Sequence, residues 1–177
     1  MGRYTDTNLW KRAFIEVAEH KGQAETLMNS YQSIRSKAAA LAGEIAKDLP
    51  EYTVHDISHI DALWEAADMI LPKDFVTNPA EAYVLGVSFL IHDLGMGLAA
   101  YSSKDEIRNY DIWKDVAASE YKKKYKIDIH EDSWSNLDED IVRKSNEVTL
   151  RKLHAERAKE LPCMKWEFDG QETYLKI

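Results

Sequence analysis

A chain of 177 residues is long enough to bury one full hydrophobic core, and a net charge of −8 argues against a general nucleic-acid binder. Its 45% apolar and 31% charged residues are the balance of an ordinary globular protein, and a single cysteine, Cys163, excludes an intramolecular disulfide. The acidity leaves room for a small phosphorylated ligand, because a local site can oppose the global charge.

The first residues, MGRYTDTNLWKRAF, contain no apolar core of a signal peptide, and Asp6 does not fit a myristoylation pattern. No charge-free apolar stretch reaches membrane-spanning length, so no membrane contact is expected. A lone cysteine suits a reducing compartment, and the expected localisation is cytoplasmic. Cys163 itself reads as a small, half-buried hydrophobe.

Asn8 is placed to cap a first helix over Leu9–His20, closed by Lys21-Gly22. The three- and four-residue spacing of Leu27, Tyr31, Ile34, Ala38, Leu41 and Ile45 predicts a long helix over Gln23–Lys47, broken by Pro50. After the connector EYTVHDIS, Ser58 is the expected cap of a helix from His59 to Leu71, with Leu63, Ala66, Ala67 and Ile70 facing inward. Asn78-Pro79 with Glu81 marks the start of the next helix, expected to run to Asp93. This helix is apolar nearly all round between Tyr83 and Ile91, which predicts neighbours on most sides.

Residues 98–107 form a connector, and Asn109–Lys126 a helix whose lysine-rich end suits the negative pole of the helix dipole. His130, beside Glu131 and Asp132, falls in a solvated loop. Leu137–Leu161 is the last expected helix. Asp169-Gly170 between alternating residues then signals a β-hairpin, and a hairpin so near the end suggests that the chain is a piece of something longer.

The chemistry concentrates in VLGVSFLIHDLGMG, Val84–Gly97. A buried carboxylate and imidazole at the end of an apolar helix must be paired, protonated or bound to a metal. Two histidines upstream, His55 and His59, offer partners for His92 and Asp93. Neutral imidazoles with a carboxylate suit Zn, Mn, Fe, Co or Ni, and carboxylate-rich variants suit Mg.

The order His59, then His92-Asp93, resembles the HD superfamily of metal-dependent phosphohydrolases. HIDALWEAADMI is similar to its first motif and LGVSFLIHDLGMG to its second. The resemblance implies an all-α helical bundle of about five to seven helices, with metal ligands His59, His92 and Asp93. It implies a divalent metal cofactor (Mn, Mg, Fe, Ni or Zn) and a phosphorylated small molecule or nucleotide as substrate. His55 holds the position of a proton donor to the leaving oxygen in related phosphodiesterases. RKLHAERAKEL resembles a third element, in which His154 ligates a second metal or contacts phosphate; Arg157 then pairs with an anionic substrate or a carboxylate.

YTVHDISHIDALWE with LHAERA is further similar to HD domains at the N-terminus of bacterial multidomain proteins that carry an Hsp90-like ATPase module. The expected organisation is an N-terminal helical extension over 1–50, an HD-like core over 51–162 and a hairpin over 163–177. The chain departs from the family pattern at the fourth ligand, an Asp in a late apolar segment: Asp138, Asp140 and Asp169 are poor substitutes. Two functions follow: a metal-dependent phosphohydrolase or phosphodiesterase, or a non-catalytic sensor controlling an ATPase domain. A second copy of the chain or that ATPase domain is the protein partner to expect. A plain all-α scaffold with satisfied core histidines is the third reading.

Overall fold

The structure is a computed structural model that describes residues 3–17, 19–52, 56–163, 165–168 and 171–174. It is all-α. Six helices follow in order among the described residues: α1 (Asn8–Trp10), α2 (Lys21–Asp48), α3 (Ile57–Ile70), α4 (Pro79–Ile91), α5 (Asp111–Tyr125) and α6 (Glu139–Glu160). Short 3-10 turns link them, and two strands, β1 (Lys165–Phe168) and β2 (Gln171–Tyr174), pair antiparallel with Lys165 opposite Tyr174. The Asp169-Gly170 turn lies outside the described residues. No described helix is long and apolar enough to cross a membrane.

The first helix is shorter than its sequence predicts. Thr7, not Asn8, caps it through its hydroxyl, and α1 passes into a π-helical turn over Lys11–Ile15. Asn8 instead donates its backbone and side-chain N–H groups to Asp68, which also accepts from the Leu9 N–H. A carboxylate from α3 thus satisfies the orphan donors at the start of α1. Lys21-Gly22 does not close this helix but opens α2, behind His20 in the left-handed conformation (φ 60°).

α2 spans the bundle and buries Tyr31, Ile34, Ala38, Leu41 and Ile45, the stripe visible in the sequence. Its aromatic end organises the rest: Tyr4, Trp10 and Trp64 surround Tyr31, with ring centroids 5.2–5.9 Å away. The Trp64 indole donates to the Tyr31 hydroxyl at 2.8 Å. This cluster sets the rotation of α3, whose buried residues are Ile60 and Trp64. Ile70, expected inside, is 82% exposed, while Ile60 and Trp64 face the core. Arg35 of α2 clamps Asp61 of α3 with two N–H groups, a planar fork on a carboxylate.

α4 carries the capping box expected from Asn78 and Glu81. It packs on α2 and α3, and its Ala82, Gly86, Val87 and Leu90 are buried. Its outer edge is not covered, and Val84 is 63% exposed, so the all-round apolar sequence overstates its enclosure. Gly86 lies against the Trp64 ring, where a Cβ would sit 2.4 Å from a ring carbon.

α5 ends at Lys126, left-handed at φ 63°, and pairs with α6. Asp138 and Asp140 face Lys124 across that junction, so the two acids of the α6 start are charge partners. Cys163, expected half-buried, is exposed. The core runs without a break from Leu9 and Trp10 to Leu161.

Candidate metal centre

Three local features aim the site. α3 starts two residues earlier than Ser58 would allow, because Asp56 is the cap. Its carboxylate accepts the backbone N–H of Ser58 at 2.8 Å and of His59 at 3.2 Å. An ionised cap suits the positive helix end better than a hydroxyl. The Ser58 hydroxyl also donates to Asp56, which holds this carboxyl below the usual range. The cap therefore fixes the backbone of His59 directly.

Asp56→Ala is expected to cost about 1 kcal/mol, read as a fall in urea midpoint. Its sign with pH follows from the depressed pKa: the stabilisation is present above the unfolded carboxylate value of about 3.9 and is lost as pH falls through the folded one.

The second feature is the end of α4. His92 is the C-cap, and its Nδ1 lies 2.8 Å from the Phe89 carbonyl. A carbonyl only accepts, so Nδ1 carries the proton and Nε2 faces outward to Asp93, 2.9 Å from Oδ2. The hydrogen bond to Asp93 accordingly raises the His92 pKa above its ordinary value, against the effect of burial.

The third feature is the turn Leu94–Met96, which packs on α6. Gly95 makes this possible: a Cβ there would lie 2.4 Å from the His154 carbonyl oxygen and 2.9 Å from its Cα. α6 is thereby brought against the turn that follows Asp93. His154 repeats the arrangement of His92, with Nδ1 2.7 Å from the Arg151 carbonyl and Nε2 directed at Asp93, 4.0 Å from Oδ1.

Asp93 is thus the centre of an imidazole cluster. His59 Nε2 is 3.8 Å from its Oδ2, and the His59 and His92 rings lie 6.1 Å apart. His59, His92 and Asp93 each offer a donor atom, all within 4.8 Å of one another. Donors bound at 2.0–2.2 Å to one ion lie at most about 4.4 Å apart, so a shift of a few tenths of an ångström brings all three onto a single divalent ion. Backbone carbonyls that hold the far nitrogen of a ligating histidine are the usual support of such sites. The group could hold a metal ion, and its donors suit Mn, Fe, Co, Ni or Zn.

His55 lies outside the described residues, and α3 begins only at Ile57. Arg157 does not reach the cluster. It is buried, donates Nε–H to the Ala100 carbonyl at 2.7 Å, pairs with Glu106 and Glu160, and stacks on Tyr101. It anchors α6 to the loop after Asp93, so of its two expected partners it takes the carboxylate. His130, in the loop before α6, is no part of the cluster among the described residues.

Sequence reasoning missed the capping role of Asp56 and the packing role of Gly95. Asp56 was legible as an Asx residue two before Ser58; the close approach at Gly95 depends on a tertiary contact.

A family model described as HD-CE matches residues 49–176, well over half of the chain. The chain belongs to the HD-CE family. The matched span of this HD-CE chain contains His59, His92, Asp93 and His154. No curated protein and no solved structure matches it. An HD-type domain with this His-His-Asp group is compatible with a metal-dependent, hydrolase-like module.

Proposed function

We propose that the chain is a metal-dependent phosphohydrolase or phosphodiesterase acting on a nucleotide-type phosphoester. The observation that supports this most is the convergence of His59, His92 and Asp93 within 4.8 Å. In this reading the two Nε2 atoms and the Asp93 carboxylate hold the divalent ion. A bound ion would supply Lewis-acid activation of a phosphoryl oxygen and of water at neutral pH. His154, whose Nε2 faces the same carboxylate, helps to hold the phosphate in this reading. His55, two residues before the first residue of α3 in sequence, protonates the leaving oxygen in this reading.

The test is hydrolysis of p-nitrophenyl phosphate and bis(p-nitrophenyl) phosphate with added Mn²⁺, Mg²⁺, Fe²⁺, Ni²⁺ or Zn²⁺. Metal-dependent turnover is expected, falling by about 100-fold or more in His92→Ala. Turnover that survives this substitution unchanged contradicts the reading.

A second reading is a non-catalytic sensor that binds a nucleotide and controls an Hsp90-like ATPase domain in a longer chain. It is favoured by the donor set: among the described residues no further carboxylate joins the His-His-Asp group. Nucleotide binding and metal uptake without turnover of either ester would select it.

A further inference from the structure

We propose a second ligand site, for a phosphomonoester carried on an apolar ring, in a cleft that shares no residue with the His-His-Asp group. The cleft has a volume of about 390 Å³ and lies between the end of α2, the loop after Asp93 and the first turns of α6. That size is in the range that accepts small molecules.

Its floor is apolar, built from Pro50, Leu98, Leu137 and Val142. Its cations are Lys47, Arg108 and Arg143. Three positive side chains and two carboxylates, Asp48 and Glu139, thus line one cleft. Each cation now has a surface partner: Glu44 at 2.7 Å, Asp105 at 3.5 Å and Glu51 at 3.4 Å respectively. Exposed pairs of this kind contribute about 1 kcal/mol or less, so a phosphate offering two or three oxygens can replace them.

Asn146 adds a fixed donor. Its Oδ1 accepts the Trp113 indole N–H at 2.7 Å. The indole only donates, so the atom facing it is the oxygen, and the two N–H groups are left to the cleft that Asn146 lines. Two acids also line the cleft. Asp48, whose Oδ2 accepts the Leu98 N–H at 2.7 Å, is a carboxylate beside any bound anion. Glu139, in the first turn of α6, opposes an anion.

The arrangement is two guanidinium forks, an ammonium and an amide donor around an apolar floor. Guanidinium forks match phosphate oxygens in pairs. The floor selects a ligand whose phosphate is attached to an apolar body over inorganic phosphate.

Titrating the full chain with 1-naphthyl phosphate, followed by amide nitrogen–proton NMR, tests the assignment. Saturable shifts are expected at the Trp113 indole, the Asn146 side chain and the Leu98 amide. The double variant Arg108→Ala/Arg143→Ala should weaken binding about tenfold or more. Glu139→Gln should tighten it, and His92→Ala should leave it unchanged, which separates this site from the metal centre. Inorganic phosphate and 1-naphthol should each bind more weakly. Equal affinity for 1-naphthol, unchanged affinity in the double variant, or shifts confined to the surroundings of His92 would overturn it.

Discussion

Asp93→Asn should lower the affinity of the chain for Mn²⁺ by about 100-fold or more while leaving it folded. The substitution keeps the shape of the side chain and removes its charge. Asp93 has the Nε2 atoms of His92, His59 and His154 at 2.9, 3.8 and 4.0 Å, so it is the one described carboxylate on which the cluster converges. An amide at this position offers a weaker donor and cannot balance an ion plus three imidazoles. Isothermal titration with Mn²⁺ reads the affinity, and a thermal melt in the absence of metal reads the fold.

The same geometry gives the pH dependence a definite sign. The His92 ring lies between the Phe89 carbonyl and the Asp93 carboxylate, and the hydrogen bond to Asp93 raises its pKa. A raised folded value means that this contribution to stability is complete below the unfolded imidazole pKa of about 6.5 and is lost as pH rises through the folded one. Metal must displace the Nε2 proton, so Mn²⁺ affinity should rise with pH across that interval, with proton release visible as a buffer-dependent heat. Affinity that falls with pH, or equal affinity in Asp93→Asn, contradicts this assignment.

Gly95→Ala should be strongly destabilising. Its Cβ would meet backbone, the His154 carbonyl oxygen at 2.4 Å and Cα at 2.9 Å, with the Arg157 Cβ at 3.0 Å. No rotamer change relieves a backbone contact, so α6 must move away from the turn after Asp93. Overpacking of this kind costs about 1–3 kcal/mol, occasionally more. For a chain of this length that is a fall in melting temperature of roughly 2–4 °C per kcal/mol. The site should suffer beyond the stability loss, because moving α6 carries His154 away from Asp93. Gly22→Ala is the control: nothing lies within 4 Å of its Cβ, and alanine is preferred in a helix by up to about 1 kcal/mol. A Gly95→Ala melt equal to that of the parent would show that the contact is not there.

What the sequence made legible were local patterns with one physical cause. The Asn78-Pro79-Glu81 start of α4 depends on residues three apart, and the helix forms where they stand. The stripe along α2 is likewise a matter of period, and His92-Asp93 stood out because an apolar helix cannot end in two polar groups without partners. The features that were missed depend on partners distant in sequence. Trp64 faces the core and donates its indole N–H to Tyr31, while Ile70 is exposed although its spacing suits a core position. Asp68 reaches back to α1, and Arg157 spends its guanidinium on Ala100, Glu106 and Glu160. Ser58 looked like a cap by type; Asp56 wins because a carboxylate two residues earlier accepts two helix N–H groups. The cleft beside Arg143 joins residues from 47 to 146, a juxtaposition that no local pattern contains.

The central claim, that His59, His92 and Asp93 share one divalent ion, is tested most directly by anomalous diffraction from crystals grown with Mn²⁺. The account predicts an anomalous peak about 2.0–2.2 Å from His59 Nε2, His92 Nε2 and an Asp93 carboxylate oxygen. Manganese bound elsewhere, or no anomalous peak beside these three donors, would contradict it.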